Sequence, residues 1–296
     1  DGKIYEMKFA RGKVTQEMTV TGDTEKRGTM VTFKPDPEMF TDTTVYDYDI
    51  LHTRMREEAF LNAGLRIQTV DLRPGQEQED DMCYEGGIRE FVTFINRSKD
   101  PLHPDVIYMS GNREDSMAEV ALQYNDSYNE VIVSFANNIH TADGGTHEIG
   151  FKNALTKVIN EYGKKFGLLK DGTRLLGDDV REGLTAIVSV KLTECEFEGQ
   201  TKGRLGNPSV KPFVEKMVFD KLMTYFEENP TVARAIFDKS ISAQVAREAA
   251  RKAKETARRK SAMESASLPG KLADCSEKTT EGTELYIVEG DSAGGT

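Results

Sequence analysis

Two acidic residues stand close together near the carboxyl end of the sequence. Glu289 and Asp291 follow Leu285-Tyr286-Ile287-Val288, a run typical of a buried strand, and they lie in a glycine-rich turn. Open α/β sheets bind their ligands at the carboxyl ends of strands. Because Mg²⁺ prefers oxygen ligands, the two carboxylates indicate a metal site that could stabilise a phosphodiester transfer. The simpler alternative is a polar turn whose acids are in water.

The same turn also fits a different chemistry. Gly290-x-Ser292-x-Gly294 after a strand matches the nucleophile elbow of α/β-hydrolases, with Ser292 as the nucleophile. In that class the acid and the histidine of the triad follow the serine, whereas all four histidines of this chain precede it. The sequence also lacks an H-G-G-G oxyanion segment. The hydrolase hypothesis therefore needs residues after Thr296, and it is kept as the alternative.

A second polar loop carries groups suited to a phosphate. Gln200-Thr201-Lys202 is flanked by Gly199 and Gly203, between a predicted strand and a predicted helix. A lysine ammonium is a mobile point charge that suits a terminal phosphate. No G-x-x-x-x-G-K-[ST] occurs in the sequence, so a bound nucleotide would not be held by a P-loop. The simpler alternative is an ordinary solvated lysine.

Basic residues are concentrated in one segment of an otherwise acidic chain. The net charge is -11, yet residues 231–260 contain nine Lys/Arg against three Asp/Glu. The segment has no Gly or Pro and its alanines recur at helical spacing, so we predict one continuous helix about 45 Å long. Such a helix presents either a solvated charged face or an arm whose basic edge lies near a polyanion. The residues of this basic stripe are Arg247, Arg251, Lys254 and Arg258.

Composition excludes several classes of protein. Of the 296 residues, 38% are hydrophobic and 30% charged, and no apolar run approaches the roughly 18 residues that span a bilayer. The three cysteines form no C-x-x-C pair, which argues against a disulfide framework or a zinc knuckle and favours a reducing cytoplasm. The start lacks an initiator Met and a signal peptide, so we expect a fragment rather than a secreted precursor.

The elements that position these groups follow from the hydrophobic pattern. Residues 3–9 alternate as in a strand, and residues 28–33 (GTMVTF) are a second predicted strand. A helix over residues 48–62 and a strand over residues 65–72 follow. The polar run at residues 74–81 predicts a solvated loop or hairpin tip.

Helices and strands alternate in the middle of the chain. The pattern predicts an α/β fold, with helices layered on a sheet. In the loop Asp143-Gly144-Gly145-Thr146, Thr146 is the predicted N-cap of a helix. The predicted order is a helix from residue 88, strands at residues 106–109, 120–124 and 131–136, a helix after residue 146, a strand at residues 184–192 and a helix at residues 209–228.

Eight short segments resemble the B subunits of bacterial DNA gyrase, a type IIA DNA topoisomerase. The B-type subunit of topoisomerase IV shares nearly all of them and is the close second. Each segment alone has little specificity, but eight in order and at matching spacing along the chain are highly specific. They are GTMVTF (28–33), YEGGI (84–88), DGGTH (143–147), DVREGL (179–184), QTK (200–202), REAARK (247–252), LPGKLADC (268–275) and EGDSAGG (289–295).

The resemblance implies three regions. Residues 1–85 would be the last part of an Hsp90-like (GHKL) ATP-binding domain. Residues 86–262 would be a transducer α/β domain that includes the long helix, and residues 263–296 would begin a Toprim metal-binding domain. The implied function is to couple ATP binding and hydrolysis to DNA strand passage and supercoiling. The family's N-terminal ATP motifs are absent, so we expect the fragment alone to be inactive.

The resemblance also implies roles for residues, with ATP and Mg²⁺ as cofactors. Lys202 and Glu289 would be catalytic: Lys202 reaches the ATP γ-phosphate, and Glu289 is the first Mg²⁺-binding acid of the cleavage site. The remaining ATP-binding residues would be Thr29 and Val31, with Thr29 at the adenine end, and Gln200 and Thr201 beside Lys202.

The implied partners are macromolecules. DNA is expected near the basic stripe, and the cleaving tyrosine belongs to an A-type gyrase subunit. The ATPase region is expected to dimerise in the full subunit, in the cytoplasm and without a membrane partner.

Overall fold

The chain divides into two compact units. A computed structural model describes residues 1–114, 116–170, 172–265 and Glu284, with the backbone alone for residues 258–265. The N-terminal unit contains residues 1–56 and 68–81, and the sheet unit contains residues 57–67 and those from Met82 onwards.

An exposed hairpin opens the N-terminal unit. Strands β1 (Lys3–Ala10) and β2 (Lys13–Asp23) pair antiparallel, which confirms the first predicted strand. The second predicted strand, residues 28–33, is wrong, because this segment has no regular structure and Val31 is 78% exposed. A strand is stabilised by pairing with a neighbouring strand, and none of the described strands pairs with this segment.

A helix and a second hairpin follow. The predicted helix and strand are confirmed as α1 (Tyr48–Leu61) and β3 (Arg66–Asp71). Strand β4 (Gln78–Cys83) pairs with β3, so the predicted loop at residues 74–81 ends at residue 77. Its polar side chains are compatible with a strand because most of them are exposed, and Gln68 Nε2 donates across the hairpin to Glu79 Oε1 at 2.6 Å.

A five-stranded sheet is the centre of the sheet unit. Its strand order is β5-β6-β9-β7-β8, with β7 parallel to β9 and the other neighbours antiparallel. The predicted strands are confirmed, and β9 completes the centre of the sheet although it is the last of the five in sequence. The strands are β5 (Ile107–Arg113), β6 (Ser116–Tyr124), β7 (Val131–Ala136), β8 (Ile139–His140) and β9 (Leu184–Leu192).

Helices cover both faces of this sheet. Val120 and Leu122 of β6 face a core shared with α3 and α5, whereas Ala121 faces a smaller core shared with α2 and the end of α1. This alternation places an apolar side chain on each face and confirms the predicted α/β layers. The helices are α2 (Ile88–Ile95), α3 (Thr146–Lys165), the single-turn α4 (Gly177–Arg181) and α5 (Val210–Glu228).

The long helix is continuous. Helix α6 (Pro230–Ser265) has 36 residues and a length of about 54 Å at about 1.5 Å per residue, so the prediction over residues 231–260 is confirmed and extended at both ends. Its first part packs on the core of the sheet unit through Ile236 and Phe237, Ala243 is also buried, and residues 249–257 are exposed. Within the described residues, no helix is long and apolar enough to cross a membrane.

Candidate functional site

The predicted phosphate-binding loop is the tip of a short hairpin. Strands β10 (Phe197–Glu198) and β11 (Arg204–Leu205) pair antiparallel, and Gln200, Thr201 and Lys202 are exposed between them. Lys202 has φ of +56°, in the left-handed region that costs a lysine about 1 kcal/mol or more. Its backbone N–H donates to the carbonyl of Gly199 at 3.3 Å. The turn therefore holds Lys202 in an uncommon backbone conformation.

The ammonium group of Lys202 is not neutralised within the described part of the chain. Glu198, the acid on the adjacent strand, is instead paired with Arg204 at 3.2 Å. The charge of Lys202 acts on Cys195 at the base of the hairpin. Burial raises the pKa of the Cys195 thiol, and the positive charge of Lys202 lowers it in part. An exposed cation without a carboxylate partner is suited to an incoming anion.

The hairpin is bonded to the loop that begins helix α3. The N–H of Asp143 donates to the carbonyl of Gly203 at 2.9 Å, and the N–H of Leu205 donates to the carbonyl of Gly144 at 3.1 Å. Gly145 forms a parallel bridge with Leu205. Residues 143–145 are thus hydrogen-bonded alongside the hairpin, and α3 starts at the next residue.

Gly145 is required where the two segments meet. Its φ is +144°, and a Cβ here would lie 2.5 Å from the carbonyl oxygen of Leu205 and 2.6 Å from its nitrogen. The predicted N-cap, Thr146, is wrong: Gly145 takes that position, and Thr146 Oγ1 has no hydrogen-bond partner among the described residues. The close approach of Leu205 explains the difference, and the adjacent glycines were its signal in the sequence.

The remaining predicted site residues are distributed along the chain. Thr29 and Val31 are exposed residues of the N-terminal unit, whereas Lys202 belongs to the sheet unit. Glu289 and Ser292 lie outside the described residues. Among those that are described, no group of three His, Cys, Asp or Glu side chains is placed to hold a metal ion.

The basic stripe of α6 has members in different environments. Arg247 donates to Asp179 of α4 through Nε at 2.6 Å and through Nη2 at 3.0 Å, and the Asp179 carboxylate raises the pKa of Arg247. Arg251 and Lys254 are exposed, and the side chain of Arg258 is outside the described part. Arg247 is therefore committed to a contact within the protein. Sequence reasoning missed Asp179, because it is one of several charged residues in the segment 178–182 (DDVRE) and nothing in that pattern distinguishes it.

A groove between α3, α4 and α5 is a second basic surface, and it was not predicted. It has a volume of about 630 Å³. Three of its five cations lie on α3, and the groove forms only where α3 meets the segment of Arg174 and Arg181, which local spacing does not reveal. The charged residues that line the groove are Lys152, Lys157, Lys164, Arg174 and Arg181, with Glu161 and Glu215.

Comparison with known proteins decides the family. The family model for DNA gyrase B matches residues 87–256, more than half of the chain. The chain belongs to the DNA gyrase B family. It is 54% identical to the gyrase B subunit of Clostridium acetobutylicum, over the whole chain and 46% of that protein. It is 52% identical to gyrase B of Bacillus mycoides, over the whole chain and 73% of that protein. The chain thus spans about half the length of the first of these gyrase B relatives.

The fold is similar to those of solved structures from gyrase B and from a related topoisomerase. The 43K ATPase domain of Thermus thermophilus gyrase B, in complex with an aminocoumarin, is 39% identical. The similarity covers 86% of this chain and 69% of that domain, with a TM-score of 0.72. The topoisomerase IV ATP-binding domain of Francisella tularensis shares the fold, with a TM-score of 0.66 at 24% identity. The alternative of an α/β-hydrolase with Ser292 as nucleophile is not supported, because the gyrase B relatives match the whole chain.

Proposed function

We propose that this chain is the ATP-responsive part of a type IIA topoisomerase B subunit, which couples ATP binding and hydrolysis to DNA strand passage and supercoiling. The observation that carries the proposal is Lys202, an exposed cation without an ion-pair partner among the described residues, at the tip of a hairpin bonded to the start of α3. Membership of the DNA gyrase B family supports the same function.

The residues of the hairpin fit the γ-phosphate of ATP. In this proposal Lys202 binds the phosphate, and Gln200 and Thr201 contact it from the same loop. Thr29 and Val31 are further ATP-binding residues, with Thr29 at the adenine end. A hydrogen bond to a charged group contributes about 1.5–3 kcal/mol. Loss of the phosphate removes that contact, which is enough to shift an equilibrium between two arrangements of a domain.

Movement of the hairpin has a direct path to the core of the sheet unit. The hydrogen bonds from Asp143 to Gly203 and from Leu205 to Gly144 join the loop to the residue before α3. Helix α3 packs on the sheet together with α5, so a shift of the hairpin acts on the core rather than on a free loop. In this proposal α6, which packs on the same core, carries the shift towards DNA.

The cleavage chemistry belongs to residues that the structure does not describe. We assign Glu289 to a Mg²⁺ site, where the metal would supply electrostatic stabilisation of a phosphodiester transfer. Among the described residues, no group of three His, Cys, Asp or Glu side chains is placed to hold this ion. The proposed partners are DNA, an A-type subunit with the cleaving tyrosine and a second copy of the ATPase region, and the proposed location is the cytoplasm.

Basic surfaces of the sheet unit support DNA as a partner. Lys157, Lys164 and Arg174 line the groove without an ion-pair partner among the described residues. On α6, Arg251 and Lys254 are exposed. We propose Arg251, Lys254 and Arg258 as the DNA-proximal residues. Arg247 is not one of them, because its guanidinium is held by Asp179.

Substitution of Lys202 tests the function. In the full-length subunit assembled with its A-type partner, Lys202→Ala should reduce ATP-dependent supercoiling at least about tenfold, since about 1.4 kcal/mol corresponds to a factor of ten. The measurement is the rate of supercoiling of relaxed plasmid together with ATP turnover.

The matched control is Lys216→Ala, which removes an exposed lysine from α5 of the same unit. Far-ultraviolet circular dichroism should be unchanged in both variants. Unchanged ATP turnover and supercoiling in Lys202→Ala would remove the assignment of Lys202.

A further inference from the structure

We propose that Asp179 and Arg247 are positioning residues that fix the direction of α6 relative to the rest of the sheet unit, so that a movement of the sheet and its helices reaches the exposed end of α6. The inference rests on the proposed function, and it adds the joint through which the ATP-dependent movement would pass from the sheet to the exposed part of α6.

Both oxygens of the Asp179 carboxylate accept hydrogen bonds, from α6 and from the residue that precedes α4. Its two oxygens accept both hydrogen bonds from Arg247, and Oδ2 also accepts the N–H of Leu176 at 2.9 Å at the start of α4. The Asp179 side chain is 1% exposed, whereas the Arg247 side chain is 34% exposed. A planar guanidinium bonded through two nitrogens sets orientation as well as distance. The pair therefore holds α6 at a defined angle to α4.

Arg247 marks the end of the attached part of α6. Within the described residues, its bonds to Asp179 are the last hydrogen bonds from α6 to another element. Among the residues of α6 whose side chains are described, up to residue 257, the last buried apolar one is Ala243, and residues 249–257 are exposed. The exposed arm thus depends on the Asp179–Arg247 pair for its direction.

A second pair lies two turns earlier on the same helix. Lys239 forms an ion pair with Glu182 at 3.6 Å and donates to the carbonyl of Asp126 at 3.2 Å. Positions 239 and 247 are about 12 Å apart on a helix, and their partners are three residues apart in one short segment. Two attachments at different points of a rod determine a direction, which one attachment cannot do.

The segment that holds Arg247 is connected to the first turns of α3. Arg181, two residues after Asp179, pairs with Glu130, and Glu130 also pairs with Lys152 of α3 at 3.5 Å. Lys152 in turn pairs with Glu148 at 2.8 Å, in the first turn of that helix. The first residue of α3 follows Gly145, the contact point of the Lys202 hairpin. A continuous set of contacts therefore joins the hairpin to the joint of α6.

The test breaks the pair from each side in the full-length subunit assembled with its A-type partner. The variants are Asp179→Asn, Arg247→Gln and the double variant, and the measurement is supercoils introduced per ATP hydrolysed. We expect each single variant to lower this ratio at least about fivefold, the lower range of a coupling between two sites. The double variant should be no worse than either single variant, because both remove the same interaction.

Arg234→Gln is the matched control, because Arg234 pairs with Asp238 on the same helix at 2.9 Å without reaching another element. This variant should keep the wild-type ratio. Amide hydrogen exchange supplies a readout besides activity. In the variants of the pair, the amides after residue 247 should exchange faster than in the wild type, whereas the exchange rates of the β9 amides should be unchanged. Faster exchange in β9 would mean a general loss of fold and would overturn the positioning role.

Two further results separate this inference from the proposed function. An unchanged ratio in the single variants, or additive losses in the double variant, would overturn the inference while wild-type supercoiling stays intact. A wild-type subunit that fails to couple ATP to supercoiling would instead overturn the proposed function, whatever the variants do.

Discussion

His147 is a completely buried histidine in the first turn of α3. Its Nε2 lies 3.1 Å from Thr141 Oγ1, and its Nδ1 has no hydrogen-bond partner among the described residues. Thr141 Oγ1 donates its own proton to the carbonyl of Ser134, so Nε2 of His147 is the donor to Thr141. Burial lowers the pKa of His147 to about 4, with the charge of Glu148 acting in the opposite direction. The folded protein thus holds this histidine neutral.

Because of this residue, the free energy of unfolding should decrease as the pH is lowered. An unfolded histidine has a pKa of about 6.5, so the unfolded chain binds more protons between the two pKa values. The contribution is fully present above about pH 6.5 and is lost as the pH falls towards 4. Between about pH 7.5 and about pH 5 we expect a loss of about 2 kcal/mol in the free energy of unfolding, measured by urea unfolding.

His147→Gln should remove that part of the pH dependence. The control is His140→Gln, which changes an exposed histidine of β8. Burial also lowers the pKa of His103, whose contribution remains in both variants. An equal pH slope in wild type and His147→Gln would contradict the prediction.

Among the elements, the docking of the β10–β11 hairpin on residues 143–145 depends on one glycine. Gly145→Ala places a Cβ against the backbone of Leu205 and strains a positive φ, which together should lower the free energy of unfolding by about 2–4 kcal/mol. Gly167→Ala is the control, because Gly167 has φ of +65° but no atom within 4 Å of an added Cβ.

The control should cost about 1–2 kcal/mol, the cost of the left-handed backbone conformation alone. Urea unfolding of the two variants measures the difference. Equal losses in both would mean that the approach of Leu205 adds no restraint, and would contradict the docking described for this hairpin.

The exposed arm of α6 gives a prediction about DNA. If Arg251 and Lys254 each contact a phosphate, replacing both with Ala should flatten the plot of log affinity against log salt concentration by about 1.8, or about 0.9 for each charge. The measurement is DNA binding by the assembled enzyme at several salt concentrations. Arg234→Ala, at a cation already paired with Asp238, is the control and should keep the slope. An unchanged slope in the double variant would mean that Arg251 and Lys254 contact no phosphate and are simply solvated.

Across the whole molecule, burial is distributed unevenly. Residues 24–47 contain no strand or helix and are largely exposed, whereas β9 is buried along nearly its whole length. Proteases cut where several residues can leave the fold together. Limited trypsin digestion should therefore cleave after Lys26 and Arg27 before it cleaves after Lys191 of β9, as followed by mass spectrometry. Cleavage after Lys191 at the same rate would contradict the sheet described here.

Local patterns in the sequence were sufficient for most elements. The helix over residues 231–260, four of the five strands of the central sheet and the loop around Lys202 follow from side-chain spacing and turn residues, because helical hydrogen bonds and strand alternation are short-range properties. The family resemblance added roles for Lys202 and Thr29 that spacing does not provide. Those roles remain predictions until the substitutions are made.

Long-range contacts accounted for the rest. Arg247 belonged to a uniform basic stripe in the sequence, and it became a partner of Asp179, 68 residues away, only when α4 and α6 packed together. Residues 28–33 had the composition of a strand, yet none of the described strands pairs with them. Gly145 is restrained by its contact with Leu205, which comes after both α3 and β9 in the sequence. Pairing, close approach and burial depend on which distant segments meet, and local spacing does not contain that information.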